Sequence, residues 1–249
     1  MVAFNTCATY SNREVMHKWI DIPVYMVLID HPKGKILFDT DCPENAMTGK
    51  WPKNLCELFP YNHKPENTIE AQLNKIGFTI DDIDIVVQSH LHLDHAGNLG
   101  KFEGRDVYVH EEDLKYGLYL THQNPDPSTH GPYIREDLEA KVNFIPVDRD
   151  MKFVDNIEFI SLPGHTPGVL GMVVHLKKDG TFIFPSDAIY QSGNFGVPPK
   201  QSGIVYNNIT FIESIEKVRD LQRKYNGKVF FSHDLDFFNT VKLAPSYYE

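Results

Sequence analysis

One short stretch, residues 89–98, constrains this chain more than any other part of the sequence, because it carries three histidines and an aspartate within six residues. His90 and His92 are two residues apart, so in an extended or tightly turning segment they project to the same side. Asp94 and His95 follow at once and are placed to reach a second ion beside the first. A short β-branched run directly upstream predicts a buried strand that ends at these residues. We therefore expect a metal site in the loop at the carboxyl end of this strand.

Three more candidate ligands occur later in the chain, and each directly follows a strand-like run: His165 in a Gly-His-Thr-Pro-Gly turn, then Asp187, then His233. Singly, each could be a capped loop residue, but three in succession repeat the placement of His90. Nitrogen and carboxylate donors without thiolate suit zinc, although iron, manganese or cobalt would also fit. A carboxylate can bridge two ions, and Asp187 is the natural candidate. Two ions about 3.5–4 Å apart share a water, which is the chemistry of hydrolysis.

Composition narrows the class of protein and its partners. The 249 residues are 41% hydrophobic and 23% charged, which is typical of a globular protein. The net charge of −10 argues against nucleic acid and anionic membranes as partners, because both bind surfaces with clustered lysine and arginine. The three cysteines lack CxxC spacing, and the amino terminus lacks the basic and apolar parts of a signal peptide. These features predict a cytoplasmic protein with reduced thiols.

Strand-like runs fall into two groups, with helices between and after them, which suggests two sheets packed together under outer helices. A hairpin is predicted over residues 24–39, where a Pro and a Gly separate two apolar runs. Helices are predicted to begin at residues 67–70, at the acidic run 111–114 and, with a capping-box pattern, at residues 210–213. No linker of Gly, Ser and Pro divides the halves, so we expect one domain over residues 1–249.

Two segments without a clear pattern are candidates for binding. Residues 42–65 read as an irregular loop, and a loop of that length is usually a lid or a binding element. Trp51, Leu55 and Phe59 in this loop are candidates for substrate contact, although each could equally pack into the core. Residues 121–132 are rich in turn formers and could cap the site or contact a second subunit in a homodimer.

That second segment carries His122 and His130, and both are expected at the surface rather than among the ligands.

Taken together, these residues resemble the metallo-β-lactamase superfamily. The sequence matches its HxHxDH stretch at residues 90–95, its later histidine in a GHTPG turn, and the aspartate and final histidine that follow, so the similarity covers residues 24–233. The resemblance implies an α/β fold, an αββα sandwich of two mixed β-sheets flanked by helices, with a dinuclear site at one edge. It also implies two sets of ligands and a bridge: His90, His92 and His165 for one metal, Asp94, His95 and His233 for the other, and Asp187 between them.

By the same resemblance, Asp39 matches the carboxylate of the Asp-Thr-Gly that ends a strand in this superfamily, and it would orient a metal ligand. Asp41 stands where that motif has glycine, so the sequence does not fix the turn there.

Within the superfamily, the sequence is most similar to the N-acyl homoserine lactone lactonases, the quorum-quenching enzymes. Tyr190, three residues after Asp187, is the discriminating residue, because in that family a tyrosine in this position points its phenol at the lactone. β-Lactam hydrolases usually lack the second histidine of the Asp-His pair and use cysteine in the site. Glyoxalase-II-type thioesterases and flavin-carrying diiron proteins need a further domain, and ribonuclease-like members need a basic surface. We expect neither feature in this chain, so the lactonases are the favoured family.

The resemblance implies a metal-dependent hydrolase that opens the lactone ring through a hydroxide bridging two zinc ions. Tyr190 would polarise the ring carbonyl, and Asp94 could carry the proton to the leaving alkoxide. Hydrolysis of another lactone (for example a pyridoxine-derived one), an ester or a phosphodiester at the same site stays open. A non-catalytic metal-binding module also stays open, although structural zinc sites are closed and single rather than open and paired.

Overall fold

The chain folds into two compact units, described here from a computed structural model that covers the backbone of Val2–Asn5 and all of residues 19–249. The first unit is built from Val24–Val147, and the second from Asp148–Glu249 together with residues 19–23. Each unit carries one mixed five-stranded sheet with its own helices, as the sequence predicted. The prediction of a single domain over residues 1–249 stays a prediction.

Two short strands, β1 (Val2–Asn5) and β2 (Trp19–Ile22), form a small sheet of their own. The sheet of the first unit has the strand order β3-β4-β5-β6-β7. Its strands are β3 (Val27–His31), β4 (Gly34–Phe38), β5 (Ile85–Val87), β6 (Asp106–His110) and β7 (Asn143–Val147). The helices of this unit are α1 (Lys53–Leu58), α2 (Ile69–Asn74), α3 (Glu111–Gln123) and α4 (Arg135–Leu138).

The predicted hairpin and the predicted start of the helix near residue 67 are confirmed. Strands β3 and β4 pair in antiparallel register, with His31 opposite Gly34 across a two-residue turn. Gly34 has a φ of +131°, a region that glycine enters without a steric penalty. Thr68 caps α2, because its hydroxyl accepts a hydrogen bond from the Ala71 N–H at 3.1 Å. Helices α2 and α3 pack against the sheet around the fully buried strand residues Leu37 and Val86.

Strands β4 to β7 pair in parallel, which places their carboxyl ends at one edge of the sheet. The candidate ligands of this unit follow β5, and the predicted strand before them is confirmed. The prediction that residues 42–65 are irregular is wrong, since α1 lies within them. Sequence periodicity could not detect α1 because it is six residues long and buries only Leu55.

The sheet of the second unit has the order β12-β11-β10-β9-β8, with β11 and β12 parallel and the other neighbours antiparallel. Its strands are β8 (Met151–Val154), β9 (Ile157–Ser161), β10 (Leu170–Leu176), β11 (Gly180–Phe184) and β12 (Lys228–Val229). Its helices are α5 (Asn208–Tyr225) and α6 (Leu235–Phe238). No helix in residues 19–249 is both long and apolar enough to cross a bilayer.

Helix α5 covers one face of this sheet through Phe211, Ile215 and Val218, which are all fully buried. It begins earlier than the capping-box pattern at residues 210–213 predicted. The Asn207 side chain accepts from the backbone N–H groups of Ile209 and Thr210, so Asn207 is the N-cap and the Thr-x-x-Glu pattern lies inside the helix.

Candidate metal centre

The ligand stretch of the first unit leaves β5 and turns sharply at once. The N–H groups of His95 and Ala96 both donate to the His92 carbonyl, at 3.0 and 2.9 Å, which closes a tight turn. The ring centroids of His90 and His92 lie 4.5 Å apart, and those of His90 and His95 lie 4.2 Å apart. Asp94 Oδ2 lies 3.6 Å from His95 Nε2, and all four side chains are buried. The fold therefore brings the three histidines and the aspartate of this stretch together.

Asp39, at the end of β4, lies behind this cluster. Its Oδ1 accepts from the Ser89 N–H at 2.7 Å, and its Oδ2 lies 2.9 Å from both Ser89 Oγ and His95 Nδ1. Ser89 Oγ is in turn 3.0 Å from His90 Nδ1. One carboxylate thus contacts the ring of one candidate ligand and, through a serine hydroxyl, the ring of another, an arrangement that fixes ring orientation.

The turn after Asp39 forms although aspartate replaces the glycine of the resembling motif. Asp41 itself adopts a φ of +59°, which aspartate tolerates better than most residues, and its Oδ1 accepts from the Cys42 N–H at 2.6 Å. Burial raises the pKa of the Asp41 carboxyl to about 7. Glycine is required instead at Gly97, in the segment that packs against this turn, because a Cβ there would overlap Pro43.

In the second unit, His165 is placed by the turn after β9. Gly164 has a φ of +139°, and a Cβ there would overlap the backbone of Phe211 at the start of α5. His165 Nδ1 lies 3.0 Å from the Ile204 carbonyl oxygen. Because a carbonyl only accepts, that nitrogen carries the proton and the ring presents Nε2 as its ligand atom.

Asp187 lies in a single 3-10 turn after β11 and contacts two other candidate ligands with its two oxygens. Its Oδ2 is 3.3 Å from His165 Nε2, and its Oδ1 is 3.0 Å from His233 Nε2. His233 Nδ1 lies 2.9 Å from the carbonyl oxygen of Pro23, which leaves Nε2 as the ligand atom of this ring as well. One buried carboxylate therefore faces the ligand nitrogens of two histidines.

Tyr190 is buried beside the same histidines. Its hydroxyl oxygen lies 3.0 Å from His165 Nδ1, and its ring centroid is 5.1 Å from that of His233. The His233 N–H donates to the Tyr190 carbonyl at 2.9 Å, so the backbone ties the two residues together. The phenol therefore lies beside two candidate ligands, and its role toward a lactone stays a prediction.

The other candidates differ in burial. Trp51 and Leu55 are 3% and 4% exposed and Phe59 is partly buried, so the first two belong to the packed interior of the first unit. Their contact with a substrate stays a prediction.

The expectation that His130 lies at the surface is wrong: its side chain is buried, and Nε2 lies 2.6 Å from the Asn124 carbonyl oxygen. The His122 side chain is 43% exposed, as expected.

Asp113 is a buried polar residue beside the ligand stretch that sequence reasoning missed. It lies in the first turn of α3 and is fully buried. The acidic run at residues 111–113 indicated only a helix start, because acids are favourable there whether they point inward or outward. A contact with the ligand stretch has no local sequence signal.

Within each unit, the ligand atoms of the predicted residues lie close together. In the first unit, ligand atoms of His90 and His92, of His90 and His95, and of Asp94 and His95 lie within 4.8 Å of each other. In the second unit, the two oxygens of Asp187 face the ligand nitrogens of His165 and His233.

Comparison with known proteins identifies the family of this chain. Residues 19–233 match the family model of the metallo-beta-lactamase superfamily. The N-acyl homoserine lactonase AiiB of Agrobacterium fabrum is 30% identical over 260 residues, an alignment that covers all of this chain and 93% of the relative. The chain belongs to the N-acyl homoserine lactonase family of that superfamily.

Another member of the lactonase family, AttM of Azorhizobium caulinodans, is 30% identical over 241 residues, covering 92% of this chain and 88% of the relative. A solved structure of an N-acyl homoserine lactone hydrolase, with the product N-hexanoyl-L-homoserine at its catalytic metal centre, superposes with a TM-score of 0.86. It is 23% identical, and the superposition covers 99% of this chain and 95% of that one. The predicted metallo-β-lactamase fold is thereby confirmed.

The donor set of this lactonase-family chain fits a metal centre chemically. It offers imidazole nitrogens and carboxylate oxygens, both suited to zinc and to related divalent ions. The partners at ring Nδ1 of His95, His165 and His233 are a carboxylate and two backbone carbonyls, the groups that usually support metal-binding histidines.

Proposed function

We propose that this protein opens the lactone ring of N-acyl homoserine lactones, a quorum-quenching hydrolysis, with two zinc ions at the candidate centre. One observation carries the choice of substrate: relatives that align with the whole chain at 30% identity are N-acyl homoserine lactonases. The geometry supports it, because the buried hydroxyl of Tyr190 lies 3.0 Å from His165, a buried candidate ligand.

We assign His90, His92 and His165 to one zinc ion and Asp94, His95 and His233 to the other. Asp187 would bridge them, and its contacts support that role. Its Oδ2 contacts His165 and its Oδ1 contacts His233, and these two histidines belong to different ions in this assignment. Asp39 would hold the His95 ring from behind.

When bound, the two metal ions supply Lewis acidity, which lowers the pKa of water and polarises a carbonyl oxygen. Tyr190 adds a hydrogen-bond donor. The phenol oxygen lies 3.0 Å from His165 Nδ1, and the proton of that nitrogen bonds to the Ile204 carbonyl, so the phenol would donate its own proton to the oxygen of the lactone carbonyl. Negative charge develops on this carbonyl oxygen during attack, so a donor placed there stabilises the transition state.

Ring opening forms a bond between a water oxygen and the lactone carbonyl carbon, and it breaks the bond between that carbon and the ring oxygen. The ring oxygen leaves as an alkoxide and takes up a proton, which Asp94 would carry from the attacking water. The products are a hydroxyl and a carboxylic acid, and the acid ionises at neutral pH. Each turnover therefore releases one proton to solution.

The remaining features of the proposal concern partners and location. The acyl chain would lie against residues 42–65. A cytoplasmic location is part of the proposal, and Cys42 and Cys56 are thiols rather than disulfides, which agrees with it. Two predictions remain as such: that the protein binds neither nucleic acid nor membranes, and that residues 121–132 form a homodimer contact.

Acid release from N-acyl homoserine lactones of short to long chain tests the proposal directly. We expect the zinc-loaded protein to release one proton per lactone consumed and to form the open-chain N-acyl homoserine. His165→Ala should lose at least about a hundredfold in rate, because it removes a proposed ligand. The matched control is His122→Ala, which removes a half-exposed histidine paired with a surface glutamate.

Two results would count against the proposal. A protein that binds two zinc ions and yet hydrolyses no member of the series would exclude this substrate class, and aromatic lactones and phosphodiesters would be tested next. His165→Ala with the rate of the parent would remove that residue from the site.

A further inference from the structure

Asp113 is a carboxylate buried completely inside the first unit, and it bonds to two groups beside the ligand histidines. Its Oδ2 accepts from the Leu91 N–H at 2.7 Å, and its Oδ1 accepts from the Tyr133 hydroxyl at 2.6 Å. Burying a carboxylate is costly unless hydrogen bonds replace its water. Both distances are those of charge-assisted hydrogen bonds, and the first turn of α3 favours negative charge.

The first of these bonds acts on the backbone between two ligands. Leu91 lies between His90 and His92, and its N–H belongs to the peptide that joins it to His90. A bond at that N–H fixes the plane of the peptide, and the plane sets the direction in which the flanking rings project. Leu91 is itself fully buried among apolar residues, so its position is held from both sides.

The second bond acts on a ligand ring. The Tyr133 ring lies edge-on to the His92 ring, with centroids 4.7 Å apart and planes at 78°. The backbones of His92 and Tyr133 form an isolated β-bridge, and the Leu93 N–H donates to the Pro132 carbonyl at 2.9 Å. Anchoring the phenol to Asp113 therefore fixes the surface on which the His92 ring rests.

Helix α3 is shaped to accept this phenol. A Cβ at Gly117 would lie 2.8 Å from the Tyr133 ring and 2.8 Å from Leu138, closer than side chains pack. The absence of a side chain at Gly117 allows the Tyr133 ring to lie directly on the helix that carries Asp113.

We propose that Asp113 is a positioning residue for the metal centre, which sets the orientation of His90 and His92 before metal binds by holding the Leu91 peptide and the Tyr133 ring. This inference rests on the proposed role of the two histidines as metal ligands. Asp113 does for these two ligands what Asp39 does for His95, but it acts from α3 and through a backbone group and an aromatic ring.

Zinc affinity of purified metal-free protein, measured by competition with a chromophoric chelator, tests the proposal without any lactone. Asp113→Asn leaves an NH₂ group facing one of the two donors, and Tyr133→Phe removes one bond while keeping the ring volume. We expect zinc binding to weaken about 10- to 100-fold in Asp113→Asn and about tenfold in Tyr133→Phe. Tyr119→Phe is the matched control, because this tyrosine is 61% exposed on the same helix.

A second readout separates positioning from simple stabilisation of the fold. In the cobalt-substituted protein, the visible absorption spectrum reports ligand geometry, and we expect it to change in both variants. Unchanged zinc affinity and cobalt spectrum, with only a lower free energy of unfolding of the metal-free protein, would overturn the proposal. If Asp113→Asn does not fold, Tyr133→Phe alone decides. Failure of the parent protein to hydrolyse lactones would count against the proposed substrate and leave the zinc-affinity result valid.

Discussion

Asp39→Asn isolates the charge of the carboxylate that lies behind the ligand stretch. Asparagine keeps the shape of aspartate, and it tolerates the φ of +62° that Asp39 adopts. The carboxylate receives three contacts: from the Ser89 N–H at 2.7 Å, and from Ser89 Oγ and His95 Nδ1 at 2.9 Å each. An amide oxygen can replace only one of the two carboxylate oxygens, so an NH₂ group must face a donor on the other side.

The size of the effect follows from burial. Asp39 is 3% exposed, so water cannot replace the lost bond. A buried donor left without its acceptor costs about 1–3 kcal/mol. If the Ser89 N–H keeps its acceptor, the cost falls on His95 Nδ1, and the ring is no longer held for metal binding. Since 1.4 kcal/mol corresponds to a factor of ten, we expect zinc affinity to fall about 10- to 100-fold.

The assay is competition for zinc between metal-free protein and a chromophoric chelator, with urea unfolding of the same samples to establish that each variant is folded. Asp41→Asn is the matched control. Asp41 has a similar backbone conformation two residues away, but its carboxylate accepts from the Cys42 N–H, and we expect less than a threefold change in zinc affinity. An Asp39→Asn protein that is folded and binds zinc within twofold of the parent would refute the reasoning.

Three further substitutions, the last with a matched control, separate metal binding, catalysis and folding. Asp187→Ala should lose metal together with activity, and two zinc ions per chain in that variant, measured by elemental analysis, would rule out a bridging role. Tyr190→Phe should keep its zinc but lose on the order of tenfold or more in kcat, as expected for an oxyanion donor, and an unchanged rate would remove that role. Gly164→Ala should lower the free energy of unfolding by at least about 2 kcal/mol, because it combines left-handed strain with overlap at Phe211. Gly77→Ala, with a φ of +79° and open space around it, should show only the smaller strain cost in the same urea titration.

Much of the candidate site could be predicted from sequence because its signals are local. The spacing of His90, His92, Asp94 and His95 after an apolar β-branched run is visible in ten residues, and strand ends are where loops carry function. The later ligands could be found because each repeats the same local pattern, a strand followed at once by a polar donor. Only the resemblance to the metallo-β-lactamase superfamily, whose ligands follow in the same order, assigns these residues to one site.

Short elements and burial could not be predicted in the same way. Helix α1 is too short for its periodicity to stand out, and nothing local showed that the Trp51 and His130 side chains would be buried. The start of α5 was misplaced because the capping-box pattern at residues 210–213 and the true cap at Asn207 are both good local signals. Which of two such signals prevails depends on packing against the sheet.

The sequence by itself determined the kind of donors, their order and their attachment to strand ends, because those properties belong to single residues and their immediate neighbours. Tertiary structure alone decided what holds the donors in place. Asp113 bonds to a backbone N–H 22 residues earlier and to a hydroxyl 20 residues later, and Asp39 reaches a ring 56 residues away. A carboxylate at a helix start is equally favourable in water or in the interior, so only the packing of α3 on the ligand stretch turns Asp113 inward.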